Sequence, residues 1–98
     1  MSWQLIIRPE AETDIDDIYR WYEQRRKGLG RAFMIELDRL LSSIQQGPKM
    51  FPRAHKELRR ALLKKFPYAV FYTLRADEIV ISAVFHQSRD PRRWMSLA

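Results

Sequence analysis

With 98 residues the chain has room for one domain, 1–98, whose core would bury roughly two thirds of its unfolded surface, which leaves no place for a catalytic cleft between domains. Hydrophobic residues make up 46% and charged residues 31%, too apolar for a disordered chain. Cysteine is absent, which removes disulfides and thiolate metal sites, and 18 Lys or Arg against 12 Asp or Glu give +6, a field that favours an anionic partner.

The elements follow in chain order. WQLIIR, residues 3 to 8, is rich in strand formers, and Pro9 ends pairing while suiting a first helical position. This opening run is too short and too charged for a signal peptide or a membrane span of ~20 apolar residues. A cytoplasmic protein without a membrane partner is therefore expected. The next segment, PEAETDIDDIYRWYEQRRKG, sets Ala11, Ile15, Ile18, Tyr19 and Tyr22 at helical spacing, with acids in its first turns and bases in its last. Those charges complement the helix dipole. Gly28 and Gly30 punctuate the chain. Phe33, Leu37, Leu40, Leu41 and Ile44 then repeat the helical spacing until Gly47 and Pro48 stop it.

From Leu58 the period changes. LRRALLKKF, YAVFYTL and IVISAVFH read as three consecutive strands of an antiparallel meander, separated by a proline-containing joint and the turn RADE. Asp90 and Pro91 have the form of an N-cap and first helical residue, so RRWMSLA is expected to make one short terminal turn. The order is β-α-α-β-β-β. The fold class is α+β, a helical hairpin packed on a small twisted antiparallel sheet.

Base concentrates late in the chain. In RAHKELRRALLKK, residues 53 to 65, Glu57 is the only acid, and the tail from Gln87 holds Arg89, Arg92 and Arg93 against Asp90. Acid concentrates early, in EAETDIDD.

Taken together, RPEAETDIDDIYRWYE, the second-helix pattern, LRR, FPYAVFYTL and AVFHQSRDPRRW resemble the RelE/ParE superfamily of bacterial type II toxins, the ParE branch in particular. The resemblance covers nearly the whole chain. It implies the toxin component of a type II toxin–antitoxin system, associated with plasmid stabilisation and growth inhibition, and held inactive by a cognate antitoxin encoded nearby. ParE-like members act on DNA gyrase; RelE-like members cut messenger RNA on the ribosome. A degenerate member that keeps the fold and has lost toxicity is a third possibility. A homodimer and a toxin–antitoxin heterotetramer are both compatible with the resemblance.

The two targets ask for different residues. Metal-independent RNA cleavage needs a proton acceptor, a proton donor and cations for the charge on phosphorus. His86 ends the last strand, where simple alternation puts it on one face with Val84, Ser82 and Val80. Arg59 and Arg60 point to opposite faces of the first meander strand, so one of them could join His86 and Glu57. The plainer reading makes His86 a strand cap and the arginines a solvated face. RelE-like ribonucleases without such a histidine resemble one another in using Lys and Arg around the sheet with a tyrosine near the C-terminus. Here Trp94 stands after Arg89 and no tyrosine follows.

A gyrase-binding inhibitor without its own catalytic centre is the leading expectation. Its target- or antitoxin-binding set is Arg59, Arg60, Lys64, Lys65, Arg89, Arg92, Arg93 and Trp94. Trp94 is either a lid on the sheet or an exposed anchor, and Arg89 is placed to pair with neighbouring Asp90. Tyr19 and Tyr22 belong to the apolar stripe of their helix, while Trp21 lies off it and is free to meet a partner. His55 and His86 give no metal-ligand spacing, so no metal and no cofactor are expected.

Overall fold

The computed structural model describes residues 3–98. Strand β1 (Gln4–Ile7) leads into helix α1 (Pro9–Arg25) and helix α2 (Leu29–Gln46). Strands β2 (Arg53–His55), β3 (Leu58–Leu62), β4 (Tyr68–Arg75) and β5 (Glu78–His86) follow, and helix α3 (Pro91–Met95) closes the series. The strands form one sheet in the order β1-β5-β4-β3-β2.

Both long helices form where the apolar spacing placed them. Pro9 occupies the start of α1, with Glu10 and Glu12 in the first turn and Arg25 in the last. Between the helices, Gly28 adopts a left-handed φ of 89° that side-chain-bearing residues rarely take. Glu23 reaches from the last turns of α1 to the first turn of α2: its two carboxylate oxygens accept from the Gly28 and Gly30 amides at 2.9 and 3.0 Å. One carboxylate thus satisfies two N–H groups that would have no partner within the helix. At Gly30 a β-carbon would lie 2.8 Å from the Tyr19 carbonyl oxygen, so glycine is what lets the two helices come this close.

The hairpin lies on one face of the sheet. Ala11, Ile15 and Ile18 from α1 and Phe33, Leu37, Leu41 and Ile44 from α2 pack on Val70, Tyr72, Ile79, Ile81 and Val84. Tyr22 is half-buried, stacked on Phe33 and edge-on to Phe66, whereas Tyr19 is more exposed than its place on the stripe implied. Trp21 is half exposed, with the Arg25 guanidinium 4.2 Å above its ring.

The sheet departs from expectation in three respects. Strands β2 to β5 are antiparallel neighbours, but β1 pairs with β5 in parallel, so the sheet is mixed rather than wholly antiparallel. An edge strand, β2, precedes the meander; three residues beside a proline carry no period that could reveal it. The first meander strand is also shorter than LRRALLKKF, ending at Leu62 and leaving Lys64 and Lys65 in the connection to β4.

The second face of the sheet carries a smaller core of Leu58, Ala69, Phe71, Ala83 and Trp94. Its cover is α3, a single turn, together with Leu97. Among the described residues no helix is long and apolar enough to cross a membrane.

Candidate functional site

The basic tail is launched by an irregularity in β5. Phe71 pairs with Ala83 but Tyr72 pairs with Ile81, so Ser82 is an extra residue, a β-bulge. The alternation of side chains reverses there. His86 and Val84 consequently share the helix-covered face with Ile81 and Ile79, and not with Val80 as unbroken alternation implied.

Beyond the bulge the chain is fixed residue by residue. The His86 ring packs edge-on against Tyr68, with centroids 5.2 Å apart. Its Nδ1 accepts the Ser88 backbone N–H at 3.1 Å and lies 2.8 Å from the Ser88 hydroxyl. A ring nitrogen that accepts from a backbone amide carries no proton of its own, so the neutral ring is protonated at Nε2. The Arg89 amide donates to the His86 carbonyl and the Gln87 amide to the Pro67 carbonyl. Arg89 lies over the Phe85 ring at 4.6 Å.

Helix α3 starts as its residues suggest. Asp90 accepts from the Arg92 amide at 3.0 Å, and Pro91 stands at the first helical position. Asp90 pairs with Arg92, at 2.6 Å, rather than with Arg89. Hydrogen bonds from the Arg92 side chain, then from its backbone, hold the Asp90 carboxyl below the usual carboxylate range. Trp94 is the lid: 8% exposed, it stacks on Phe71 with centroids 5.1 Å apart and planes 23° from parallel. The Arg60 guanidinium lies 5.8 Å from the Trp94 centroid on the same face of the sheet. Arg60 therefore joins the tail through aromatic packing, and Arg93, next to Trp94 in the chain, is exposed.

Arg59 turns the other way. It donates to the Phe51 carbonyl at 2.6 Å and the Lys49 carbonyl at 3.2 Å, holding the connection between α2 and β2. Tyr72 holds the same connection through a 2.7 Å bond to the Pro48 carbonyl, and burial pushes its hydroxyl up to about 12. Glu57 pairs with Arg53 at 3.2 Å. Arg59 sits across from Tyr72 and His86 across from Tyr68, four residues apart along β4 and so about 13 Å by strand rise. His86, Arg59, Arg60 and Glu57 are thus dispersed over two faces and two ends of the sheet.

Lys64 and Lys65 border a groove of about 470 Å³ between α2 and the end of β3. Its apolar floor includes Leu40, Phe51 and Leu62, the last half exposed. Glu36, buried within the apolar stripe of α2, pairs with Arg39 at 3.1 Å and Lys65 at 3.7 Å. Neither Glu36 nor Asp14, whose carboxylate accepts the Val84 amide at 3.0 Å, emerged from the sequence. Acids on helices read as solvated until the partner element is known. Among the described residues no three potential ligands gather to hold a metal ion.

The comparisons agree with this architecture. A family model described as the ParE toxin of the type II toxin–antitoxin system parDE matches residues 5–91. The chain belongs to the ParE toxin family. The match runs from the second residue of β1 to the first of α3, so it spans both long helices and strands β2 to β5 in full. A solved chain of the chromosomal ParDE toxin–antitoxin system from P. aeruginosa is similar over 86% of this chain and 95% of its own, at 18% identity and a TM-score of 0.77. At that identity the likeness shows the ParE-like fold. No curated protein matches the sequence.

Proposed function

We propose that this ParE-family toxin arrests growth by binding DNA gyrase, with the basic tail as its effector surface. The observation that carries the reading is the placement of Arg60 over Trp94 and of Arg89 over Phe85, two rings that both pack on Phe71, with Arg93 exposed next to Trp94 in the chain. Exposed cations on a rigid aromatic base suit recognition of an acidic surface. Arg92 contributes less, because Asp90 already neutralises it.

A cognate antitoxin would neutralise the toxin through a segment that is acidic and disordered until bound. The groove beside α2 supports this reading, having an apolar floor and a rim of Arg39, Lys64 and Lys65. The +6 charge would speed the encounter. The setting is the cytoplasm, where gyrase and the antitoxin are met; oligomers such as a homodimer or heterotetramer would form around that groove.

Purified toxin, free of antitoxin, should inhibit supercoiling by gyrase while leaving messenger RNA intact in a parallel translation reaction. Replacing Arg89, Arg92 and Arg93 together with alanine should keep the fold and weaken inhibition at least about fivefold, since Arg89 and Arg93 each remove ~0.5 kcal/mol or more of encounter attraction and Arg92, paired with Asp90, removes less. Unchanged inhibition would move the effector surface elsewhere. Cut message with unaffected gyrase would favour a ribosome-dependent ribonuclease, and a His86→Gln variant would then have to lose the cutting. Neither effect, with antitoxin binding retained, would identify a member that has lost its toxicity.

A further inference from the structure

On the outer edge of β5 the ladder with β1 ends early. Its last backbone bond runs from the Arg8 amide to the Ile81 carbonyl, while β5 continues to His86. Beyond the Ser82 bulge the Gln87 amide points inward to Pro67, so by antiparallel alternation Val84 and His86 point outward, with no strand beside them. An unpaired buried amide there would destabilise the end of the strand. The Asp14 carboxylate, from the second turn of α1, fills that position at 3.0 Å from the Val84 nitrogen.

Asp14 lies in a cleft of about 160 Å³ whose walls include Ile18, Tyr68, His86 and Arg89. The charged and titratable groups facing it are Asp17 and Glu10 on its own helix, Arg89 and His86 at the end of β5, and Tyr68 on β4. Arg89 is the one cation among the partners that act on Asp14, and its own guanidinium is spread over Phe85 at the edge of the same cleft. One carboxylate thus meets the tail twice: by a hydrogen bond just before the turn, and by charge at the residue just after it.

We propose that Asp14 is a positioning residue for the effector tail, ending the β5 edge at Val84 and drawing Arg89 into the cleft, so that the turn at residues 86–89 leaves the sheet in one fixed direction. The helical hairpin thereby sets the placement of a surface on the opposite side of the sheet. Two contributions separate cleanly by substitution. Asp14→Asn keeps an acceptor of the same shape and removes the charge; Asp14→Ala removes both.

The inference rests on the tail being the effector surface, but its geometric part is testable on the toxin alone, by amide hydrogen exchange. In Asp14→Ala the Val84 and Arg89 amides should exchange about tenfold faster or more, the loss of one buried hydrogen bond, while Ile81 and Leu37 change less than about twofold. In Asp14→Asn the Val84 amide should stay within about threefold of wild type, with Arg89 alone accelerated. Acceleration spread evenly over all four amides, or an Arg89 amide indifferent to both variants, would overturn the proposal. In the supercoiling assay Asp14→Ala should then lose potency more than Asp14→Asn; equal potency of both with wild type would also overturn it. Wild-type toxin that leaves gyrase untouched would instead overturn the effector reading, and the exchange result would stand by itself.

Discussion

Arg59 and Arg60 are neighbours in sequence and belong to different parts of the molecule. On the helix-covered face, Arg59 is bound to two carbonyls above a core closed by two long helices. On the other face, Arg60 lies over Trp94, the residue through which one helical turn roofs Leu58, Ala69, Phe71 and Ala83. Among the described residues the Arg59 side chain donates twice within the chain, whereas the Arg60 side chain makes no hydrogen bond and keeps its donors for something else. Burial and remaining bonding capacity, more than charge, separate structural arginines from those available to a partner.

The largest test of that division is a pair of core truncations. Phe33→Ala, at a fully buried site between the helices and the sheet, should lower global stability by about 3–5 kcal/mol in urea unfolding. Trp94→Ala should cost about 2–3 kcal/mol, because a single terminal turn can resettle over the gap. The sharper difference should appear in function: on the proposed gyrase reading, Trp94→Ala should release Arg60 from its base and weaken inhibition at temperatures where the protein is still folded. Equal stability losses with equal inhibition would erase the distinction between the faces.

The two arginines come next. Arg59→Ala should cost about 1.5–3 kcal/mol, the usual range for hydrogen bonds involving a charged group, and leave the tail intact. Arg60→Ala should cost no more than about 0.5–1 kcal/mol of cation–π attraction, yet reduce inhibition. Denaturation midpoints beside supercoiling titrations would expose a reversed order.

The smallest effect is on pH dependence, where Asp14 and Asp90 act with opposite sign. Burial, partly offset by the Val84 amide and Arg89, raises Asp14 above its ordinary 3.8. The stability it contributes is thus fully present below 3.8 and lost as pH rises through the raised value. Asp90, lowered by Arg92, contributes stability present above 3.8 and lost as pH falls through the lowered value. Asp14→Asn should accordingly flatten the stability profile just above 3.8, and Asp90→Asn just below it. Thermal melts across that range would show whether the slopes exchange.

Much of this division was legible in residue order. Helical spacing placed both long helices, the change to strand periods placed the meander, and Asp90-Pro91 placed the start of α3. Opposite faces for Arg59 and Arg60 followed from alternation alone, because β3 and its partner are in regular register. The same reasoning failed at His86, where one extra residue at Ser82 reverses every side chain after it, and a bulge without glycine leaves no compositional mark. Pairing of β1 with β5 depends on how the hairpin crosses the sheet, which no local pattern encodes. Glu36 and Asp14 were missed for a related reason: each meets its partner only once α2 faces the β3–β4 connection and α1 faces the end of β5.

The parallel pairing of β1 with β5 also bears on when the protein comes into being. Synthesis delivers β1 first, but its partner is the last strand of the sheet, and β4 likewise waits for β5 along its whole length. Such distant pairing makes folding late and slow compared with a chain of local contacts. Until β5 pairs, the apolar stripe of α1 lacks Ile79, Ile81 and Val84, and the seat of Trp94 lacks Ala83. The seat of Trp94 is therefore among the last parts of this domain to take shape, because Phe71 and Ala83 become neighbours only when β4 and β5 pair.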